Sequence, residues 1–506
     1  YSSEDTKMSM KNMYVLAIDQ STSATKAILF DRQGKLVHRC TVDHLQYYPN
    51  PGWVEHDAEE IYDNTLKAIQ QVLDETGTTQ EQIVVLGITN QRETALVWDK
   101  NTGKPKYHAV VWQCQRGSAI CKELEEQGYA GLVKEKTGLV LSPYFSAAKI
   151  KWILDNVEGV RQKAESGELL LGTMDSWLLW KLTGGRVHAT DYSNASRTQL
   201  FNIKELKWDD ELLNIFTIPG SMLPEVKCSN EIFGFASPGQ VFEREIQIAG
   251  LMGDSHAALF AQNCFEEGMA KTTYGTGSSI IMNIGKKYAE SRKGLVTSLA
   301  WGYNGEIDYV FEGNINCTGA TIKWLVDDME LLPNSRAAGE IAALVDTNEG
   351  VYIVPAFVGL SAPYWDSEAK ASITGITRGV KKAHIVRAAE ESIAYQIKDV
   401  IDLMVEESGS ELKELRVDGG PTRDSFLMQF QADMLNATVV RNKIEELSAM
   451  GAAFMAGMAV KFWNNKEEIA ALRSVDLAFD SKMDEATRTR LYKGWKEAVR
   501  RTLSTT

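Results

Sequence analysis

The sequence has few cysteines and no long apolar run. Only six of its 506 residues are cysteines, and no two of them have C-x-x-C spacing, so a disulfide framework is excluded. No stretch of about 18 apolar residues could span a bilayer, and the first thirteen residues lack the apolar segment of a secretion signal. These absences predict reduced thiols, a cytoplasmic protein and no membrane contact.

The chain also lacks an excess of positive charge. It has 54 Lys and Arg against 68 Asp and Glu, a net charge of −14, which argues against nucleic acid as a partner. Hydrophobic residues make up 44% of the sequence, as in packed globular proteins. At roughly 150 residues per domain, the length predicts about three domains or two large ones. Residues 1–13 are polar, and we expect a leader that is disordered or left over from cloning.

Several well-known catalytic motifs are missing. No Gly-Lys pair precedes Ser or Thr, which excludes a Walker P-loop. The run Gly275-Thr276-Gly277 has Ile280 where a dinucleotide-binding fingerprint needs its third glycine. There is no H-E-x-x-H and no G-x-S-x-G, so a zinc peptidase and an α/β-hydrolase are also disfavoured.

Two parts of the sequence begin in a similar way. From Tyr14 an apolar run ends at Asp19, and a polar turn and two strand-like runs follow. A second apolar run ends at Asp254 and is followed by a Gly/Ser/Thr turn between two more strand-like runs. The two acids lie 235 positions apart. We therefore predict two halves built on one plan, with the second copy starting near this apolar run and the domains covering residues 14–255 and 256–506.

Helical patterns alternate with short apolar runs. Residues 57–76 and 384–408 place apolar side chains at helical spacing, which predicts two helices with one buried face each. Short runs such as IVVLGIT lie between such segments. This alternation predicts an α/β protein with mixed or parallel sheets covered by helices.

Five polar turns stand where strands are expected to end. They are residues 19–23, 90–94, 253–256, 275–278 and 418–420. Ligands bind at the carboxyl ends of strands in α/β sheets, although each turn alone could be an ordinary turn or a helix cap. Gly-Asp-Ser at 253–255 also resembles the nucleophile block of one class of serine hydrolases. That class needs a downstream Asp-x-x-His, and Lys381 stands where the Asp before His384 would be.

Longer motifs carry a family resemblance. The runs GITNQRETALVWDKNTGKP, EGMAKTTYGTG and VPAFVGLSAPYWD resemble the FGGY family of sugar and polyol kinases, most closely its glycerol-phosphorylating members. The resemblance covers the chain from Tyr14 to about Arg500. It implies two actin-like (ribonuclease H-like) domains flanking a catalytic cleft, with ATP and Mg²⁺ as cofactors. It further implies a small polyol or sugar as substrate, and a homodimer or homotetramer.

The same resemblance assigns roles to individual residues. Asp254 matches the general base that accepts the proton of the attacking hydroxyl, and Asp19 matches the acid that holds the magnesium. Arg92, Glu93, Trp112 and Tyr144 match the positions around the polyol. The nucleotide positions are Thr22, Ser23 and Lys26 in a first phosphate turn, Gly275, Thr276 and Gly277 in a second, and Gly319, Lys323, Gly420 and Asp424.

Some positions depart from the family pattern. Ser255 replaces a Gln and Ser279 replaces a Phe at positions that contact the polyol, which predicts a wider and more polar pocket. A kinase for a tetritol, a pentitol or a ketose such as xylulose or ribulose is therefore an alternative to a glycerol kinase. Ser21, Pro421 and Asp424 also differ from the usual residues. A non-catalytic ATP-binding module of the actin type is a further alternative, but it would have no use for a hydroxyl-binding set.

Overall fold

The computed structural model describes residues 11–472 and 477–505, so most of the predicted leader lies outside the described residues. The chain forms two compact units. The first extends to Asn263 and also contains Ser298–Tyr309 and a segment that starts at Ile444. The second contains Cys264–Thr297, Val310–Lys443 and the C-terminal segment. The single domain boundary expected after Ser255 stays a prediction.

The first unit contains most of the elements up to residue 263. The strands are β1 Tyr14–Gln20, β2 Ala24–Phe30, β3 Leu36–Asp43, β4 Glu55–His56, β5 Ile83–Asn90, β6 Ala95–Asp99, β7 Ala109–Val110, β8 Leu169–Thr173, β9 Ala189–Asp191, β10 Phe201–Asn202, β11 Lys207–Trp208, β12 Glu225–Lys227, β13 Ile232–Ala236 and β14 Ile246–Gly253. The helices are α1 Ala58–Thr76, α2 Ser118–Glu126, α3 Ala130–Thr137, α4 Ser146–Asn156, α5 Val160–Glu165, α6 Met174–Leu182, α7 Tyr192–Ala195, α8 Asp210–Phe216 and α9 Asp254–Ala261.

The remaining elements follow residue 263. The strands are β15 Met269–Tyr274, β16 Ser278–Gly285, β17 Val296–Tyr303, β18 Glu306–Ile315, β19 Tyr352–Val354, β20 Ser372–Thr374, β21 Glu414–Asp418, β22 Thr438–Arg441 and β23 Leu477–Phe479. The helices are α10 Gly319–Asp327, α11 Ala338–Ala342, α12 Lys382–Ser408, α13 Ser425–Leu435, α14 Leu447–Ala459, α15 Lys466–Leu472 and α16 Glu485–Thr502. Within the described ranges, no helix combines the length and apolar character needed to span a bilayer.

Both predicted helices are present because local signals define their ends. The Asp57 side chain accepts hydrogen bonds from the backbone N–H groups of Glu59 and Glu60 and so caps α1. Gly77, with φ of 65°, ends the same helix in the left-handed conformation that glycine adopts without strain. The helix predicted at 384–408 corresponds to α12, which also ends at a left-handed glycine, Gly409.

The main sheet of the first unit has six strands in the order β13-β14-β5-β1-β2-β3. Strands β1 and β2 form an antiparallel hairpin, while β1, β5 and β14 run parallel. The apolar face of α1, with Ile61, Ile69 and Val72, packs in one core with the sheet residues Leu16 and Leu86. A smaller sheet, in the order β4-β7-β6-β8, lies in the same unit.

The second large sheet repeats the plan of the first. Its order is β17-β18-β16-β15-β21-β22-β23, and β15 pairs with β16 antiparallel and with β21 parallel. Strand β15 therefore corresponds to β1, and β22 corresponds to β14. The predicted duplication is present, but its second copy starts at β15 and not at the apolar run that ends at Asp254. Asp254 follows β14, which belongs to the same sheet as β1, so both acids lie in one copy of the plan.

Helix α14 packs closely against the first sheet although it lies far away in sequence. A Cβ atom on Gly87 of β5 would lie 2.9 Å from the Ala452 oxygen, and one on Gly250 of β14 would lie 2.5 Å from the Ala456 nitrogen. On the helix itself, a Cβ atom on Gly451 would lie 1.8 Å from the Ala257 oxygen. Glycine is therefore required at all three positions, since a side chain on Gly87 or Gly250 would push α14 away from the sheet and one on Gly451 would push it away from α9.

A buried carboxylate connects three segments of the second unit. Asp399 on α12 is 3% exposed, and its carboxylate accepts hydrogen bonds from Tyr364 Oη at 2.7 Å and Trp495 Nε1 at 2.9 Å. Tyr492 Oη also donates to it, and Lys496 Nζ lies at 3.0 Å. The Asp399 side chain thereby links the C-terminal helix α16 to α12.

Replacing Asp399 should destabilise the second unit strongly. We expect Asp399→Ala to cost about 3–5 kcal/mol, since the donors around it would remain buried without an acceptor. For a unit of this size, that corresponds to a melting transition lowered by roughly 6–20 °C in scanning calorimetry. Asp402→Ala is the matched control, because this carboxylate is 47% exposed and pairs with Lys398 on the same helix. An equal effect of both substitutions would contradict the assignment.

Candidate active site

Three strands of the first sheet end at the same level. Gln20 of β1 lies opposite Asn90 of β5, and Asn90 lies opposite Gly253 of β14. Because these strands are parallel, their carboxyl ends meet at one edge of the sheet. That edge brings together Asp19, the turn after β5 and Asp254, which sequence analysis assigned to metal binding, substrate binding and catalysis.

Asp19 lies in an environment that disfavours a bare carboxylate. Burial raises its pKa to about 7, the nearby Asp254 adds to this increase, and Lys26 opposes it. Two acids in close proximity and low dielectric are unstable as an uncompensated pair. A hard divalent cation would relieve this repulsion and prefers carboxylate oxygens, so Asp19 fits the expected metal.

Asp254 is the first residue of α9 and remains accessible. Its side chain is 41% exposed, and Arg92 Nε lies 3.5 Å from its Oδ1. The backbone N–H of Ser255 donates to the same oxygen at 2.7 Å. The helix N-terminus and the guanidinium hold the carboxylate in place while leaving it open to solvent, as a proton acceptor requires.

Glu93, in the turn after β5, is buried beside two arginines. It is 2% exposed and adopts a φ of 67°, a left-handed conformation that is uncommon for residues other than glycine. Arg197 Nε donates to its Oε1 at 2.7 Å, and Arg92 Nε lies 3.8 Å from the same oxygen. Burial raises the pKa of Glu93, and Arg197 is the main opposing influence.

Two functional neighbours were missed by sequence analysis. Arg197 is 104 positions from Glu93, and nothing in its local sequence indicates a buried ion pair. His256 Nε2 lies 3.0 Å from Arg92 Nη1. Because a guanidinium can only donate, this imidazole nitrogen accepts and carries no proton. His256 therefore helps to hold Arg92 beside Asp254.

An aromatic pair lies next to the first phosphate turn. Trp112 Nε1 donates to Thr22 Oγ1 at 2.9 Å, and the Trp112 and Tyr144 rings meet edge to face at 5.7 Å. The Arg197 guanidinium lies over the Tyr144 ring at 5.8 Å. The predicted phosphate residue Thr22 and the predicted polyol residue Trp112 are thus in direct contact, a link that the sequence did not predict.

Lys26 has an acidic partner from a remote segment. Its Nζ lies 3.0 Å from Glu446 Oε1, and Arg39 Nη1 lies 2.9 Å from the same oxygen. Ser23, in the turn before β2, is exposed, and the Ser21 hydroxyl accepts from the Ala24 N–H at 3.2 Å. The separation of 420 positions explains why Glu446 was not predicted.

The second phosphate turn belongs to the second unit and is bonded to the start of α10. The Gly319 N–H donates to the Gly275 oxygen at 2.9 Å, and the Thr318 N–H donates to the Thr276 oxygen at 2.9 Å. A Cβ atom on Gly319 would lie 2.4 Å from the Gly275 oxygen, and one on Gly277 would lie 2.4 Å from the Ile315 oxygen. Glycine is needed for this close approach, and Thr276 is exposed at its tip.

The other predicted nucleotide and substrate residues of this unit lie on several different elements. Gly420 is exposed at the start of a 3₁₀ turn, and Lys323 is exposed on α10. Ser279 pairs with Thr273 in the β15-β16 hairpin. Asp424 caps α13 by accepting from the Leu427 N–H at 3.2 Å. These positions stay predictions for nucleotide or polyol contact.

The duplicated sheet plan and the polar residues at its strand ends are those of the actin-like class of α/β proteins. Models of the N-terminal and C-terminal domains of the FGGY family of carbohydrate kinases match residues 14–261 and 270–460. The chain belongs to the FGGY family of carbohydrate kinases. The predicted family and its two-domain fold are thereby confirmed.

Individual relatives agree with this assignment. Glycerol kinase from Bacillus subtilis is 52% identical over 487 residues, which are 96% of this chain and 98% of the relative. The crystal structure of Plasmodium falciparum glycerol kinase with ADP superimposes with a TM-score of 0.92 at 37% identity, covering 97% of this chain and 99% of that one. A ligand-bound xylulose kinase from Lactobacillus acidophilus, at 20% identity, has the same fold, with a TM-score of 0.86 and 97% and 99% coverage.

Proposed function

We propose that this chain transfers the γ-phosphoryl group of ATP to a terminal hydroxyl of glycerol or a closely related polyol. The observation that carries the proposal is the position of Asp254. Arg92 holds it at the sheet edge where β1, the strand that contains Asp19, also ends. A similar glycerol kinase has been crystallised with ADP, which supports ATP as the donor here.

Each site residue of the first unit has a task in the proposed reaction. Asp254 accepts the proton of the attacking hydroxyl on a carboxylate oxygen. Arg92 and Glu93 offer donors and acceptors to the remaining hydroxyls, and the Trp112 and Tyr144 rings cover the carbon face. The exposed Thr276 and its glycine neighbours would hold phosphate oxygens in the second unit.

The metal of this reaction would be Mg²⁺ at Asp19. A carboxylate whose pKa is raised by burial and by a second acid suits a hard cation. When bound, the ion neutralises charge on the nucleotide phosphates. We also propose a cytoplasmic location, supported by six cysteines that form no disulfide and by the need for ATP. A homo-oligomer follows from the family resemblance, and light scattering would measure its mass.

The proposal is tested by ADP release measured with ATP and Mg²⁺ over a panel of polyols and ketoses. We expect ADP only when an acceptor is present, with the highest kcat/KM for glycerol or a polyol of similar size. ADP release that is independent of every acceptor would contradict a kinase and favour the non-catalytic or ATPase alternative.

A larger polyol or a ketose is the second candidate, and Ser255 favours it. The Ser255 hydroxyl lies 3.5 Å from Asp254 Oδ1, so this short side chain stays beside the base. Replacing it by a longer amide should fill space and add a hydrogen bond for a small triol. We expect Ser255→Gln to raise the ratio of glycerol to pentitol kcat/KM about tenfold. The exposed Ser166→Gln is the control, and an unchanged ratio in Ser255→Gln would argue against the pocket.

A further inference from the structure

A second group of metal-ligand atoms lies in the first unit, away from Asp19. His38 and Cys40 are two residues apart on the edge strand β3, so their side chains share one face. Glu75 lies in the last turn of α1, which packs on that face. One ligand atom from each of the three residues lies within 4.8 Å of the others, and no other such group occurs among the residues that the structure describes.

The distances between the ligand atoms are shorter than those of an occupied tetrahedral zinc site. Glu75 Oε2 lies 2.6 Å from His38 Nε2 and 3.2 Å from Cys40 Sγ. Ligand atoms about 2.0–2.3 Å from a zinc ion are roughly 3.3–3.8 Å apart when the geometry is tetrahedral. Shifts of less than about 1 Å in exposed side chains would therefore admit the ion, and water would supply the fourth ligand.

The chemistry of the group selects the kind of metal. A thiolate, an imidazole and a carboxylate are the donors that zinc binds, whereas magnesium and calcium require oxygen atoms alone. Gln71 Nε2 donates to Glu75 Oε1 at 3.0 Å, which fixes the carboxylate and leaves Oε2 facing the other ligands. Cys40 is buried, while the His38 and Glu75 side chains are 41% and 45% exposed and leave an entry path.

We propose that His38, Cys40 and Glu75 form a binding site for Zn²⁺ or a similar thiophilic divalent cation. On binding, the Cys40 thiol loses its proton to solvent, and the thiolate and carboxylate balance the charge of the ion. The ion ties the edge strand β3 to the end of α1. Cys40 lies opposite Ala27 of β2, which lies opposite Ile18 of β1, so this site is two strands from the strand that carries Asp19.

Cobalt reports on such a site directly. The full chain is reduced, freed of metal and titrated with Co²⁺ without nucleotide. We expect one equivalent to produce a near-ultraviolet thiolate-to-cobalt band that Zn²⁺ abolishes, since an oxygen-only site at Asp19 gives no such band. Absence of the band, or its persistence in Cys40→Ser, would overturn the proposal.

Matched variants separate metal binding from general damage. Cys121→Ser removes another buried thiol and should keep the band. His38→Ala and Glu75→Gln change exposed side chains and should weaken cobalt binding at least tenfold, even if Cys40→Ser fails to fold. Zn²⁺ should raise the melting temperature of the unmodified chain and not that of Glu75→Gln. Unchanged affinity in both exposed variants would rule the site out.

Discussion

An Asp254→Asn variant should lose about 10²–10⁴-fold in kcat, because an amide cannot accept the proton of the attacking hydroxyl. Substrate binding should change little, since Arg92, Glu93 and the aromatic pair remain in place. The backbone N–H of Ser255 can still donate to the Asn oxygen, which preserves the start of α9. Steady-state ADP release and calorimetric binding of ADP and glycerol measure the two effects separately.

The control for this experiment is Asp63→Asn, which removes an exposed carboxylate of α1 and should leave kcat unchanged. An Asp254→Asn enzyme with full activity would show that another group accepts the proton. A variant that lost ADP and glycerol binding to the same extent as turnover would instead indicate a structural role for the carboxylate.

Removal of Arg197 should have the second largest effect. Arg197→Met leaves Glu93 buried without its main partner. We expect this to lower stability by about 3–5 kcal/mol and to abolish most of the binding of the acceptor substrate. Burial already raises the pKa of Glu93, and loss of Arg197 raises it further, which favours the protonated form of Glu93 in the variant. Because raising the pH removes that proton, kcat/KM for the acceptor should increase with pH in the variant more steeply than in the unmodified enzyme.

Two further variants make this test specific. Arg197→Lys keeps the charge without the planar fork and should restore part of the activity. Lys207→Met removes one half of an exposed pair with Glu205 and should change stability by less than about 1 kcal/mol. If Arg197→Met loses activity but its pH profile stays parallel to that of the unmodified enzyme, the role of Arg197 is only structural.

Features set by local sequence were predicted well. The two helices predicted at residues 57–76 and 384–408 and the two strand-like runs predicted after Asp19 depend on residues a few positions apart. The polar turns after β1 and β5 were also recognisable, because each follows a buried strand, whereas the polar segment at 253–256 is the start of α9. Local patterns of this kind can be recognised in the sequence because the residues that form them are neighbours in the chain.

Features set by distant contacts were not predicted. The pairs of Lys26 with Glu446 and of Glu93 with Arg197 join segments 420 and 104 positions apart. The assignment of Asp254 to the second copy of the plan failed for the same reason. Strand β14 joins the first sheet by pairing with β5, and its own residues do not indicate which sheet it joins.

The glycine contacts of α14 determine when the first unit can form during protein synthesis. Its sheet packs against a helix that begins at Leu447, so a ribosome must add almost the whole chain before that surface is covered. At about 5–20 residues per second, this takes roughly 20–90 s. From Gly253, where β14 ends, to Ala459, where α14 ends, the ribosome adds 206 residues, which takes roughly 10–40 s at that rate. The nascent N-terminal half is incomplete for that time, with β5 and β14 exposed to chaperones and to aggregation.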